Sequence, residues 1–500
     1  MWKSSYRIIL FLFWSILFLF NCGGEQEHTS SGKKLMQQYC GSCHLPTEAK
    51  LLNKDRWVNS ILPEMAPKLG IEVYRKKQYF PNPQTSAVSL EEWTKIVGYF
   101  ENNAPNKVDI NPSKEIQREA GLFSVRKPQW VDSLHNIATT TLVSFDESAH
   151  QIYSHDATTK RLYRWDENLK PEIIRTLDQP AVGLSLMKDS TDTTHGILTS
   201  IGTLKAINIS NGKLIDFNIE NNSSRVIGKG LTRPVYSVAG DFNKDGQQDW
   251  VVCSFGHDTG GLYLFEQEKD HQFTKKPIRP VPGAIDAKVG DFNDDGWQDV
   301  MALFAHGNEG IWMMTNDQKG GFDSKIIKRF PPVYGSTSFQ LKDFNGDGLP
   351  DILYTAGDNA DYSQILKPYH GIYIFINQGN FTFEQEYFYQ LNGATEAVAE
   401  DFDADGDLDI AAHAFFADLK NNPSESFVYL EQQKTLTFKP QTPDIHHLGR
   451  WLTMDVGDFE GDGDPDIVLG NYSRQFIHQQ GLQKDWNIHK PFILLSNNTR

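Results

Sequence analysis

The sequence predicts a multidomain chain in which a small all-α domain precedes an all-β propeller of seven blades. Three observations predict it. A short helical segment leads into Cys40-Gly41-Ser42-Cys43-His44, and a capped helix follows near residue 90. One Asp-rich pattern recurs five times between residues 241 and 466, with starts 50, 52, 58 and 57 residues apart. Short apolar strands flank every copy, and a period of this size signals propellers or solenoids.

The chain opens with Lys3 and Arg7 and then runs apolar from Ile8 to Phe20. A helix needs about 20 residues to span a bilayer, so this shorter run has the shape of a secretory signal over residues 1–21. The mature protein is expected outside the cytoplasm. Cys22 follows at once in Leu19-Phe20-Asn21-Cys22-Gly23-Gly24. This resembles a bacterial lipoprotein signal, which implies lipidation of Cys22 and a membrane-anchored protein facing the periplasm or cell surface. Asn21 departs from the small residue usual there, and an ordinary cleaved signal is the alternative. The polar stretch 22–31 reads as a tether.

The formal net charge is −16, but 20 of the 64 acidic residues fall inside the five repeated loops. Acidity so concentrated argues against nucleic acid as a partner and points to cations. Four cysteines in 500 residues give no disulfide framework, so the fold must rest on a sizeable core. Cys253, in Trp250-Val251-Val252-Cys253, reads as a small buried hydrophobe.

Cys40, Cys43 and His44 form a C-x-x-C-H sequence, the attachment signature of c-type haem. Two thiols about one helical turn apart can reach the two vinyl groups of a porphyrin, and the adjacent imidazole then points at iron. A structural zinc would want about four ligands. A redox dithiol would follow a strand, whereas residues 33–39 read as helix. Ser89 and Glu92 form a capping box for a later helix, on which Leu90, Trp93, Val97 and Phe100 repeat at helical spacing. With Ile61-Leu62-Pro63-Glu64-Met65-Ala66-Pro67 between them, residues 32–105 resemble a class I cytochrome c domain. The resemblance implies one covalent haem c with Met65 as second axial ligand; a core methionine is the bland alternative. His/Met ligation suits an electron carrier, whose partner would be a redox protein or a membrane electron carrier.

The repeats place oxygen donors at positions 1, 3, 5 and 9 and glycine at position 6. They are Asp241, Asn243, Asp245 and Asp249; Asp291, Asn293, Asp295 and Asp299; Asp343, Asn345, Asp347 and Asp351; Asp401, Asp403, Asp405 and Asp409; and Asp458, Glu460, Asp462 and Asp466. Such a set can converge on a hard cation, and Ca²⁺ tolerates irregular cages of 6–8 oxygens. An EF-hand is excluded, because strands rather than helices flank each loop. A metal-free Asp-rich turn is the alternative. Strands such as 236–240, 249–252 and 261–265, with a weaker fourth, make up one blade. The pattern resembles the FG-GAP or VCBS repeat family, which implies a β-propeller over residues 129–500 holding about five Ca²⁺. Residues 140–165 read as a further blade and 182–209 as most of another, both without such loops, and 106–128 as a linker.

The loop face opposite the Asp-rich loops is expected to carry His257, His306, Asp358, His413 and Arg474. The starts of the inner strands add Arg233, Asp286, Glu396 and Arg450. Ordinary solvated loops are the alternative there, and fold alone assigns no activity. Three functions follow: an electron-transfer protein whose propeller binds a partner protein or polymer, a periplasmic oxidoreductase with the haem as electron exit, or an adhesion or structural propeller.

Overall fold

The computed structural model describes residues 23–500, apart from 76–77, 111–115, 119–120, 131–135, 189–193, 222, 270, 359, 361–364, 475–478, 480 and 500. Cys22 and the signal segment lie outside the described residues. The chain divides into two units, Met1–Ile110 and Asn111–Arg500.

In the first unit, helix α1 spans Gly23–Cys40 and helix α2 spans Leu90–Asn103. The stretch expected to be a tether is therefore helical from Gly23, consistent with the helix-forming Glu25, Gln26 and Glu27. Ser89 caps α2 reciprocally with Glu92, a box whose cap is worth about 1 kcal/mol. The buried face of α2 is Trp93, Ile96, Tyr99 and Phe100, whereas Leu90 is exposed, so the face is rotated from the expected one. The helices pack together at Gly32, where a Cβ would lie 2.3 Å from the Lys95 carbonyl oxygen. Only glycine permits that approach. Helical turns cover 54–69, and a two-stranded antiparallel hairpin follows, Ile71–Tyr74 with Gln78–Pro81. The unit is thus not all-α: β-branched Ile71 and Val73 favour a pleated strand, and Ile71 is fully buried. Among the described residues no helix is long and apolar enough to cross a membrane.

The second unit holds seven four-stranded antiparallel sheets. Blade 1 starts with the inner strand Thr140–Asp146 and blade 2 with Ala181–Lys188. The inner strands of blades 3 to 7 are Pro234–Gly240, Ala284–Gly290, Ser336–Lys342, Ala394–Glu400 and Trp451–Gly457. Each inner strand packs on the next, and that of blade 7 packs on that of blade 1, which closes the ring.

Burial follows position in the blade. The second strands of blades 3 to 7, such as Asp249–Ser254 and Asp351–Ala356, are buried at every residue because neighbouring blades cover both faces. Their near-continuous apolar runs have that cause. Cores form between blades: Val251, Cys253 and Leu264 of blade 3 cluster with Val300, Ala302 and Trp312 of blade 4. Cys253 is fully buried, and burial pushes its thiol up. Outer strands such as Phe273–Arg279 are largely half-buried or exposed.

The fourth strand of blade 7 is Phe123–Arg126, drawn from the segment expected to be a linker. It pairs antiparallel with Phe492–Asn497, Phe123 facing Asn497 and Val125 facing Leu495. Ile116 is buried in the core between blades 5 and 6, and Gln117 bridges to Gln441. The start of the second unit thus clasps its end without a covalent bond.

Candidate functional site

All five Asp-rich loops join an inner strand to its second strand and fold alike. The position-1 carboxylate accepts from the N–H groups of positions 5 and 6, for example Asp245 N at 3.2 Å and Gly246 N at 3.0 Å on Asp241. Asp291, Asp343, Asp401 and Asp458 repeat this. Position 5 accepts from the N–H of position 7, as Asp295 does from Trp297 at 2.8 Å. The position-6 glycines have φ between 79° and 97°, the left-handed region this turn requires.

Position 3 accepts from the position-5 N–H in four loops, through Asn243, Asn293, Asn345 and Asp403. In the fifth, Glu460 instead pairs with Arg126 of the clasp strand and accepts from Ser496 Oγ at 3.0 Å. The carboxylate oxygens of Asp401, Asp403 and Asp405 lie within 4.8 Å of one another.

Position 9 is a bracket as well as a donor. Asp249, Asp299, Asp351, Asp409 and Asp466 are all buried. One oxygen of each accepts from the end of the third strand, at Gln267, Asn316, Asn377, Gln432 and Asn497. The other accepts from the position-2 Phe N–H in four loops, and from the Tyr429 hydroxyl at Asp409. Burial pushes Asp249 up to about 6 and Asp409 up to about 7. A cation in the loop favours the ionised form of such a carboxylate, so the donor set fits a hard divalent ion.

The opposite face brings several expected residues together. The His306 ring lies 4.3 Å from the Phe255 ring, and the Arg233 guanidinium lies 5.1 Å from it. Arg233 also donates to the Gly256 carbonyl at 2.8 Å. Burial holds His306 down to about 4, with Asp358, Arg233 and His257 close enough to bias its charge. Arg474 is exposed and donates to Thr158.

Other expected site residues are structural. Asp286 accepts from Phe339 N of the next blade at 3.1 Å and pairs with Lys288. Arg450 is buried, lies 3.7 Å over the Phe415 ring and donates to the Phe415 carbonyl. His413 is fully buried between the Trp451 carbonyl and Glu396. The repeat pattern does not reveal the fasteners Gln298, Gln340 and Asp455. Their side chains accept from Asp241 N, Ala399 N and Phe145 N on neighbouring blades. Inner-strand edges leave N–H groups unpaired, and a neighbour's polar side chain satisfies them.

In the first unit, α1 ends at Cys40, and the N–H groups of Cys43 and His44 both bond to the Cys40 carbonyl. Both thiols are free, Cys43 is exposed, and burial pushes the Cys40 thiol up to about 11. His44 Nδ1 lies 2.9 Å from the Leu45 carbonyl oxygen. That bond holds one ring nitrogen and leaves Nε2 uncommitted to it. Met65 ends the short helix Leu62–Met65 and is half-buried. The indole N–H of buried Trp93 has no acceptor among the described residues. Two free thiols and a tethered imidazole are the donor types that a C-x-x-C-H haem site uses.

Residues 241–302 and 291–354 match the FG-GAP-like repeat family. Integrin alpha-PS5 of Drosophila melanogaster is 33% identical over 150 residues, covering 25% of this chain and 15% of its own length. Integrin alpha-6 of Homo sapiens is 27% identical over 158 residues, covering 28% of this chain and 14% of its own. The chain therefore spans only a small part of these relatives. A solved streptogramin B lyase aligns over 75% of this chain and 98% of its own, with a TM-score of 0.44 and 11% identity. From its sheets and its matched repeats, this protein is a seven-bladed β-propeller containing FG-GAP-like repeats.

Proposed function

We propose that the propeller is a binding and adhesion module that takes a protein ligand on the face carrying Arg233, Phe255, His257 and His306. Calcium in the five Asp-rich loops stiffens the opposite face. The observation that carries this reading is the FG-GAP-like repeat itself, with the likeness to integrin α chains and the aromatic–cationic cluster in support. The test is adhesion of beads coated with the full chain to a panel of immobilised proteins and polysaccharides. Arg233→Glu and Phe255→Ala should reduce adhesion to whichever surface the wild type holds. Equal adhesion by wild type and both variants refutes the assignment of the face.

A second reading, carried by Cys40, Cys43 and the His44–Leu45 bond, gives the first unit one covalent haem c. His44, through Nε2, and Met65 would be the side chains that hold its iron. The haem would supply one-electron chemistry, and the chain would hold it by two thioethers, exchanging electrons with a redox partner protein or a membrane carrier. A haem-stained denaturing gel tests attachment, and Cys40→Ala/Cys43→Ala should abolish the stain. Lipidation of Cys22 would anchor the protein at a membrane; if wild type and Cys22→Ser both fractionate as soluble, the anchor is refuted.

A further inference from the structure

The connection from blade 6 to blade 7 holds donors that neither reading uses. It runs over 442–450, from the outer strand Thr437–Gln441 to the inner strand Trp451–Gly457. It therefore lies on the face away from the Asp-rich loops, about 20 Å off for strands of six residues at 3.3 Å each. Asp444 Oδ1 is 3.2 Å from His446 Nδ1 and 3.9 Å from His447 Nδ1. The three donor atoms lie within 4.8 Å of one another.

The segment is pinned from beneath. Ile445 and Leu448 are buried in the core that also holds Trp451, which turns the residues between them outward. Thr442 N donates to the Gln117 carbonyl at 3.0 Å, and Asn487 N donates to the His447 carbonyl at 2.9 Å. A Cβ on Gly449 would lie 2.4 Å from the Trp451 ring, so the exit from the loop is fixed too. The donors are thus held on a rigid turn, as a preorganised site requires.

A simple ion pair needs one imidazole. Here two Nδ1 atoms face one carboxylate oxygen, and His447 stands beyond hydrogen-bond length from it. Tetrahedral ligands about 2.0–2.1 Å from a metal are about 3.3–3.4 Å apart, and the two observed separations bracket that value. We propose that Asp444, His446 and His447 bind one divalent transition-metal ion of the zinc, copper or nickel class. Imidazole nitrogens select these over calcium, whereas the oxygen-only loops do the reverse. Three protein ligands leave a fourth position for water or for a donor brought by a molecule docking on this face. The site stands whether or not the adhesion reading does.

The test is equilibrium dialysis of the full chain against Zn²⁺ with saturating Ca²⁺ present. One bound zinc per chain is expected, retained by Cys40→Ala/Cys43→Ala. His446→Ala and His447→Ala should each weaken binding by at least the ~10–100-fold that even an outer-shell change costs. Both side chains are partly exposed, so their zinc-free melts should match wild type; Asp444→Asn serves as a second variant. Absence of zinc uptake by wild type overturns the proposal, as does uptake that survives in the histidine variants or depends only on the cysteines.

Discussion

Replacing Phe123 by Ala should loosen the whole ring, because this residue anchors the strand that joins the two ends of the propeller. Phe123 is 5% exposed and sits in the core formed by blades 6 and 7. Its ring stands edge-on to Tyr429 at 5.5 Å and to Phe402 at 5.9 Å, so it touches the neighbouring blade as well as its own. Truncating a buried Phe costs about 3–5 kcal/mol, against a total stability of about 5–15 kcal/mol for a typical fold. Val125, two residues along the same strand, is 36% exposed, and a truncation so near the surface should cost below about 1 kcal/mol. Urea unfolding followed by tryptophan fluorescence compares the two. If Phe123→Ala lowers the midpoint no more than Val125→Ala does, the clasp does not hold the ring closed.

Three further outcomes are expected. Burial pushes Glu309 up to about 8 although it accepts from Ser336 N and Oγ. The folded state keeps that proton where the unfolded chain has lost it, so stability present below pH 4.5 is lost as pH rises towards 8. Glu309→Gln should flatten this fall, by an order of a few kcal/mol at ~1.4 kcal/mol per pH unit; identical pH–stability curves would show that the carboxyl is not responsible. Chelating calcium should lower the propeller melt, since each site contributes about 2.7 kcal/mol at a hundredfold excess over Kd; calorimetry with and without chelator decides. Met65→Ala should remove the weak red-end absorption band of sulfur-ligated oxidised haem while leaving haem covalently attached, and a persisting band would exclude Met65 as ligand.

The blades with Asp-rich loops were readable because their signals are local. The donors and the turn glycine recur within nine residues, and each second strand is a short apolar run. The clasp was not readable. Phe123-Ser124-Val125-Arg126 carries no turn or repeat signal, and Ser124 bonds to a residue 372 positions away. The fasteners Gln298, Gln340 and Asp455 were hidden for the same reason, since their partners exist only once blades stack. On α2 the spacing of Leu90, Trp93, Val97 and Phe100 fixed a helix but not which flank is covered. The site over Arg233, Phe255 and His306 was half visible: the charges could be placed on a face, but not the aromatic ring that gathers them.

The position-9 aspartates show how the loops relate to the fold. Both oxygens of each already accept from backbone N–H groups or, at Asp409, a tyrosine hydroxyl, and position 1 holds positions 5 and 6 in the same way. The loop geometry is therefore built by hydrogen bonds, and a cation entering it meets donors already arranged. Calcium should then add stability by mass action rather than drive folding, unlike sites whose ligands are unfolded without metal. The fifth loop adds a coupling. Glu460 is engaged by Arg126, the last residue of the clasp strand, and the same arginine donates to the Glu167 carbonyl at 2.5 Å in blade 1. A cation that drew Glu460 inward would take an acceptor from the strand that closes the ring. Calcium in blade 7 would thus compete with the clasp for one carboxylate, so any gain from metal there should be smaller than in blades 3 to 6.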